Sequence, residues 1–264
     1  MHLFDNDIAV NPAGQSPGAG TGQISGNWSI NNLPNGGYLM ALLANAVFRK
    51  SEKTRIAIMT VNYVLRTSPG PVRIDLECIS ASSQFERFEA RLVQEERIAA
   101  CALATLVEEN LACTMDRYEA QMPELADLDQ CIPIPQMPGF TLFDQVDLRL
   151  DPAWAGWMST GQLAEKSRHR GWIRFKEPRT HDALSVLLMA DCFPPPVYAS
   201  MGLGPWVPTI ELSVNIRKLP DTQWLKCFFQ TSFVTCGLLE EDGQIWDENG
   251  NLVAVSRQIA HYRK

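Results

Sequence analysis

The chain lacks a basic surplus: its 264 residues carry 23 lysines and arginines against 30 aspartates and glutamates, a net charge of −7 at pH 7. Nucleic-acid affinity rests on neutralising phosphates with basic side chains, so this balance argues against nucleic acid as a partner. An anionic ligand would need a local patch of cations. Long apolar runs are missing too. None approaches the ~20 residues of a membrane-crossing helix, so no membrane partner is expected. The opening Met1-His2-Leu3-Phe4-Asp5 has neither the basic flank nor the apolar core of a signal peptide, which points to a cytoplasmic protein. His2, His169, His181 and His261 are scattered, and the seven cysteines show no paired or metal-like spacing. No metal or other cofactor is therefore expected, and thiols such as Cys78, Cys101, Cys192 and Cys227 read as reduced and buried. The absence of a Gly-x-Ser-x-Gly run removes the nucleophile elbow of a serine hydrolase.

What is present is a pattern written twice. The run from Leu3-Phe4-Asp5 to Asn11-Pro12-Ala13 is echoed, with one inserted residue, by that from Leu142-Phe143-Asp144 to Asp151-Pro152-Ala153. Gly26-Asn27-Trp28-Ser29-Ile30 leads into a helix-like run at 36–48, and Gly171-Trp172-Ile173-Arg174-Phe175 into another at 181–193. Similar strands, 98–104 and 252–258, close the two copies. Each copy reads strand, strand, helix, then several strands, and units of about 100–150 residues are ordinary domain sizes. The expected units are 1–114 and 139–264. Between them, 115–138 is broken by Pro123, Pro133, Pro135 and Pro138, which deny it helix and central-strand hydrogen bonds; it reads as a surface linker. Glycine-rich 14–22 reads as a flexible loop, and 153–167 as its irregular counterpart.

The first helix is expected at about 36–50, apolar almost all round and therefore buried on most sides. The second, with Thr180 as N-cap, stops before Pro194-Pro195-Pro196. Alternating β-branched segments follow each: 56–65, 72–79, 85–93 and 97–107, then 209–216, 224–233, 238–247 and 251–261. Short turns between them favour antiparallel neighbours. A long apolar helix embraced by a curved antiparallel sheet, built twice, is an α+β double hotdog fold.

Pro34-Asn35-Gly36-Gly37-Tyr38-Leu39, Leu188-Met189-Ala190-Asp191-Cys192-Phe193, Pro208-Thr209-Ile210-Glu211-Leu212 and the ending from Trp246 to Gln258 give the chain a further likeness. In order and spacing they resemble the acyl-CoA thioesterase-like superfamily, within it the double-hotdog type II acyl-CoA thioesterases. The resemblance implies an acyl-CoA substrate and a water held by an Asp on the second helix, a Thr or Ser on the next strand and a Gln on the last. The matching residues are Asp191, Thr209 and Gln258. The better-known branch carries Asp two residues after the Thr; Glu211 stands there instead, with its role open.

The residues support that chemistry independently. Asp191 follows Leu184, Leu187 and Leu188 at helical spacing, so its carboxyl emerges from an apolar stripe, where burial and the helix C-terminus both oppose ionisation. Such an acid needs compensating partners, and with them it can act as general base. Gln258 shares a strand face with the small residues Ala254, Ser256 and Ala260 and can offer both donor and acceptor. Each of the three has an ordinary structural use; together they argue for a site. Comparing copies sharpens it, since Asn45 falls opposite Asp191, Ala104 opposite Gln258, and Ile58 or Thr60 opposite Thr209. One acid–base site per chain is expected, in the second copy. The first offers Asn35, Gly36 and Gly37, whose backbone N–H groups at a buried helix start would polarise a thioester carbonyl or simply allow a tight turn.

Two alternatives remain open. A hotdog hydratase would use a histidine and a carboxylate, for which His181 and Asp182 supply the types. A non-catalytic acyl-CoA or apolar-ligand binding protein would reduce the trio to structural hydrogen bonds. Arg55, Arg66, Arg217 and Lys218 are candidates for the coenzyme phosphates, and long sheet edges suggest a homo-oligomer.

Overall fold

The structure is a computed structural model describing residues 1–12, 19–108, 115–204 and 206–262. The first half contains a short helix α1 (Leu3–Asp7), strands β1 (Val10–Pro12), β2 (Ala19–Ile24), β3 (Ser29–Ile30) and β4 (Leu33–Pro34), and the helix α2 (Gly36–Lys50). Strands β5 (Arg55–Tyr63), β6 (Gly70–Ala81), β7 (Phe85–Gln94) and β8 (Arg97–Val107) follow. Next come β9 (Ile132–Pro133), α3 (Leu142–Gln145), β10 (Val146–Leu150), α4 (Gly156–Ser159), β11 (Arg168–Phe175), α5 (Ala183–Met189) and α6 (Val197–Met201). The described chain closes with β12 (Thr209–Ile216), β13 (Leu225–Gln230), β14 (Val234–Thr235), β15 (Leu238–Asp247) and β16 (Leu252–His261).

One antiparallel sheet takes all of these strands except the β3–β4 pair. Outward from the central β5–β12 pair the order is alike in both directions: β8, β7, β6, β2, β1 on one side and β16, β15, β13, β11, β10 on the other. The sheet wraps α2, which is buried along Gly37, Tyr38, Leu39, Met40, Ala41, Leu42, Leu43 and Ala44, as a helix apolar all round requires. Helix α5 is likewise buried and meets α2 where Gly37 approaches the Leu187 and Leu188 carbonyls.

Both central strands carry a bulge, between Ile56 and Ile58 and between Thr209 and Glu211. Ile56 faces Leu106 and Met59 faces Ala104; Thr209 faces Ala260 and Leu212 faces Gln258. The residue standing where Thr209 stands is thus Ile56, not Ile58 or Thr60, because the bulge displaces the count. One strand further out, Ala104 pairs with Phe88 and Gln258 with Glu241.

Other sequence expectations are corrected. The Leu3-Phe4-Asp5 echo lies in short helices, not opening strands, with Phe4 and Phe143 buried. Glycine-rich 19–22 is strand β2, because glycines let it lie between β1 and β6, as the 2.6 Å from a Cβ built on Gly20 to Val10 shows; residues 13–18 lie outside the described residues. The strand matching β11 is β2, so Trp28 and Trp172 are not counterparts. Helix α5 is shorter than 181–193, and its N-cap is Asp182, not Thr180: Asp182 accepts from Ser185 N–H, and Ser185 Oγ accepts from Asp182 N–H. Within 115–138, Ile132–Pro133 pairs with β10 as the sheet's last strand and Cys131 is buried, so this stretch is not only surface connector. The outermost strands, β1 and β9, are short and each contains a proline, whereas β6 runs on through 76–81 beyond its pairing with β2 and leaves that stretch as a sheet edge.

Candidate functional site

Asp191 lies just past the end of α5, its N–H bonded to Leu188 O. Its side chain meets the start of α2 from the other half of the sheet. Oδ2 accepts from Asn35 Nδ2 (2.9 Å) and from Gly37 N–H (2.9 Å), while Asn35 Nδ2 also donates to the Asp191 carbonyl (2.8 Å). Asn35 does two jobs, since its Oδ1 caps α2 by accepting from Tyr38 N–H. An aspartate could cap the helix equally well but would offer no donor. Glycine is required at 37: a Cβ there would stand 2.8 Å from Leu188 O and 2.9 Å from Leu187 O. Tyr63, at the end of β5, donates its hydroxyl to Gly36 O (2.7 Å), fixing the first turn.

The anion at the α2 N-terminus is therefore the chain's own carboxylate. The donors expected to polarise a thioester carbonyl, Asn35 and Gly37, are given to Asp191, because that acid needs an N-terminus to offset its burial. Desolvation still exceeds the stabilisation from Gly37, Asn35 and Gly36, and the pKa rises to about 6. That value suits a base working near neutrality.

Thr209 reaches the same place through its bulge. Three positions before the core-facing Leu212, it would face the opposite side of a regular strand; Ile210, the extra residue, turns it inward beside Ala260. Glu211 falls on the outer face, where it accepts from Asn62 Nδ2 (2.9 Å) across the central pair. Its open role is thus a cross-strand contact. Gln258, buried between Ser256 and Ala260 on the inner face, opposes Leu212.

Asp191, Thr209, Gln258, Asn35 and Gly36 all line one cavity of about 1090 Å³. Its walls are largely apolar, with Phe140, Phe143, Trp157, Phe193 and Trp206 among them. The linker supplies Ile134, Pro135 and Met137 to this lining. Trp157, from the stretch expected to be irregular, is held by His169: the indole N–H donates to Nε2 (2.9 Å) and Nδ1–H donates to Pro194 O (2.8 Å). Burial pulls His169 down to about 4, so the ring stays neutral in this role.

Glu241 and Tyr63 also line the cavity, and sequence reasoning missed both. The signal for Glu241 was present, since it alternates with core-facing Leu239, Gly243 and Ile245. Burial, with Asp191 nearby, pushes its pKa well above the usual carboxylate range. Of the four basic candidates, Arg66 lines the cavity; Arg55, Arg217 and Lys218 do not. His181 is elsewhere, buried against Phe175 with Nε2 3.0 Å from Gln223 O, and Asp182 is a helix cap paired with Arg179.

Residues 24–107 match the family model for the acyl-CoA thioesterase N-terminal domain, and residues 128–262 that for the C-terminal domain. The chain belongs to the acyl-CoA thioesterase family. Among solved structures, a protein from Thermobifida fusca provisionally named a thioesterase II is 24% identical, with a TM-score of 0.90 over 100% of this chain and 98% of that one. A hot dog fold protein of unknown function from Alicyclobacillus acidocaldarius is 19% identical, with a TM-score of 0.89 over 100% and 99%. An uncharacterised protein of Mycobacterium tuberculosis is 25% identical over 98% of this chain and 97% of its own length. The acyl-CoA thioesterase fold here is an α+β hotdog fold, and membership supports acyl-CoA thioester hydrolysis as the general activity.

Proposed function

We propose that the chain is a double hotdog enzyme, two tandem units (1–114 and 139–264) joined by 115–138, that hydrolyses acyl-CoA thioesters at one site per chain. Water held by Asp191, Thr209 and Gln258 attacks the thioester carbon, and Asp191 takes its proton. The observation that carries this reading is an aspartate with a pKa of about 6, fixed through Oδ2 at an apolar cavity. The bonds from Asn35 and Gly37 fall on Oδ2, and Oδ1 is the oxygen this reading gives to the water. The first half contributes the Asn35–Gly37 cradle rather than a second acid: Asn45 donates to Ile8 O (2.7 Å), and Ile56 and Ala104 are apolar and buried.

The apolar walls suit an acyl chain, and Arg66 at the cavity is the cation in place for a coenzyme phosphate. A thiol-release assay over short, medium, long and aromatic acyl-CoAs tests the activity. Turnover of at least one class is expected; tight binding with no turnover across the panel would make the chain a binding protein instead. Thr209→Val and Gln258→Ala each remove one water partner, and each should lower kcat by about 10- to 100-fold. A kcat unchanged in both variants would remove them from the site.

Asn35→Asp keeps the helix cap but places a second carboxylate against Asp191. Like charge raises an acid's pKa, so the acid limb of kcat/KM against pH should move upward from about 6. A limb that stays in place would show that Asp191 is not the titrating base.

A further inference from the structure

We propose that Glu241 donates the hydrogen bond that stabilises the oxyanion formed at the thioester carbonyl, beside Gln258. The proposal rests on the thioesterase reading above and adds a catalytic residue to it. It begins from a deficit. Hydrolysis places negative charge on the carbonyl oxygen, and a buried site must meet that charge with donors already in place. Asn35 Nδ2 and Gly37 N–H, which stand at the helix start nearest the acid, are bonded to Asp191. The oxyanion donor has to come from another wall.

The ladder beside Gln258 supplies it. Glu241 pairs with Gln258 across β15 and β16, so the two side chains rise from the same face as neighbours. Glu241 is 7% exposed and lines the cavity that also holds Asp191 and Thr209. A carboxyl in such a place donates only if it keeps its proton. Burial and the charge of Asp191 both favour that form, as does Asp242 next to it on the strand. The two acids then divide the work: Asp191, held by N–H donors, is the group that ionises, while Glu241 stays neutral as a donor.

The other half shows that this carboxyl is not there for packing. Its register counterpart is Phe88, 2% exposed, beside Ala104. The fold accepts an apolar side chain at that position, whereas a buried carboxyl costs stability unless it is hydrogen-bonded or paired. Asn45, Ile56, Ala104 and Phe88 in one half thus stand against Asp191, Thr209, Gln258 and Glu241 in the other.

The step balances without a co-reactant. The water oxygen bonds to the carbonyl carbon and Asp191 takes the proton. The carbonyl π electrons move to the oxygen, which accepts from Glu241. Collapse re-forms the C=O bond and breaks C–S. The thiolate takes the proton from Asp191, leaving free coenzyme A and the carboxylic acid.

Three substitutions test it. Glu241→Gln keeps a neutral donor and should hold kcat within a few-fold. Near-isosteric Glu241→Met removes the donor and should lower kcat by about 10²- to 10³-fold, with KM and the Kd of a non-hydrolysable acyl-CoA thioether little changed and Tm equal or higher. Glu241→Leu repeats the test should the Met variant fold poorly. Active wild type, inactive Asp191→Asn and an unimpaired, folded apolar variant at 241 would overturn the Glu241 donor alone. A wild type with no thioesterase activity would overturn the reading beneath it as well.

Discussion

Replacing Asp191 by asparagine is expected to lower kcat by about 10²- to 10⁴-fold, the usual contribution of a positioned general base, without unfolding the chain. An amide cannot take the proton from water, yet its oxygen can still accept from Gly37 N–H as Oδ2 does now. The stability effect has a defined sign. In the folded chain the Asp191 pKa is about 6, above the ~3.9 of an ordinary aspartate. The folded state therefore binds more protons between those values, and it loses stability as pH rises through them, by about 3 kcal/mol at neutral pH. Asparagine carries no such ionisation. Relative to the variant, the wild type should lose stability from about pH 4 to about pH 6 and show a constant difference above that, measured by denaturant titration across the range. The same titration appears in the rate: kcat/KM of the wild type should rise through about pH 6 and level off.

Replacing Gly37 by alanine is the change expected to damage the fold most per atom added. The new methyl would lie 2.8 Å from Leu188 O, 2.9 Å from Leu187 O and 2.9 Å from Asp191 Cβ. Two of those neighbours are backbone atoms of α5, so relief requires the helices to separate, not a side chain to rotate. Overpacking of this kind costs about 1–3 kcal/mol. Moving α5 also moves Asp191 off its cradle, so activity should fall together with Tm. Gly22→Ala is the matched control. A Cβ there meets Leu42 Cδ1 at 3.5 Å and Ala9 O at 3.6 Å, ordinary contacts, and its Tm should stay near that of the wild type. Equal Tm values for both variants would show that α2 and α5 do not meet at Gly37.

Local pattern made much of this legible. The apolar run at 36–50 and the alternating segments that follow each helix carry their burial within a few residues, and the elements formed are close to those expected. Asp191, Thr209 and Gln258 were legible from resemblance and from comparing copies, and they line one cavity. What was not legible depends on contacts between distant residues. Asn35 and Asp191 lie 156 positions apart, so the sequence shows that an acid in an apolar stripe needs partners but not that a helix start from the other half provides them. The inward turn of Thr209 depends on Ile210 lying outside the register, and strict alternation conceals that. Glu241 sits within Glu240-Glu241-Asp242, which as a string looks like a solvated acidic run and masks its alternation with Leu239, Gly243 and Ile245; the ladder beside Gln258 makes the inward position plain.

The central claim is that Asp191 activates water and does not itself attack the thioester. A single turnover of an accepted acyl-CoA in ¹⁸O-enriched water, with enzyme in excess, tests this directly. Water activation by Asp191 places one ¹⁸O in the released carboxylic acid and none in the peptide containing Asp191. Unlabelled acid from the first turnover, with ¹⁸O in that peptide, would show an acyl anhydride on the carboxylate and contradict the mechanism.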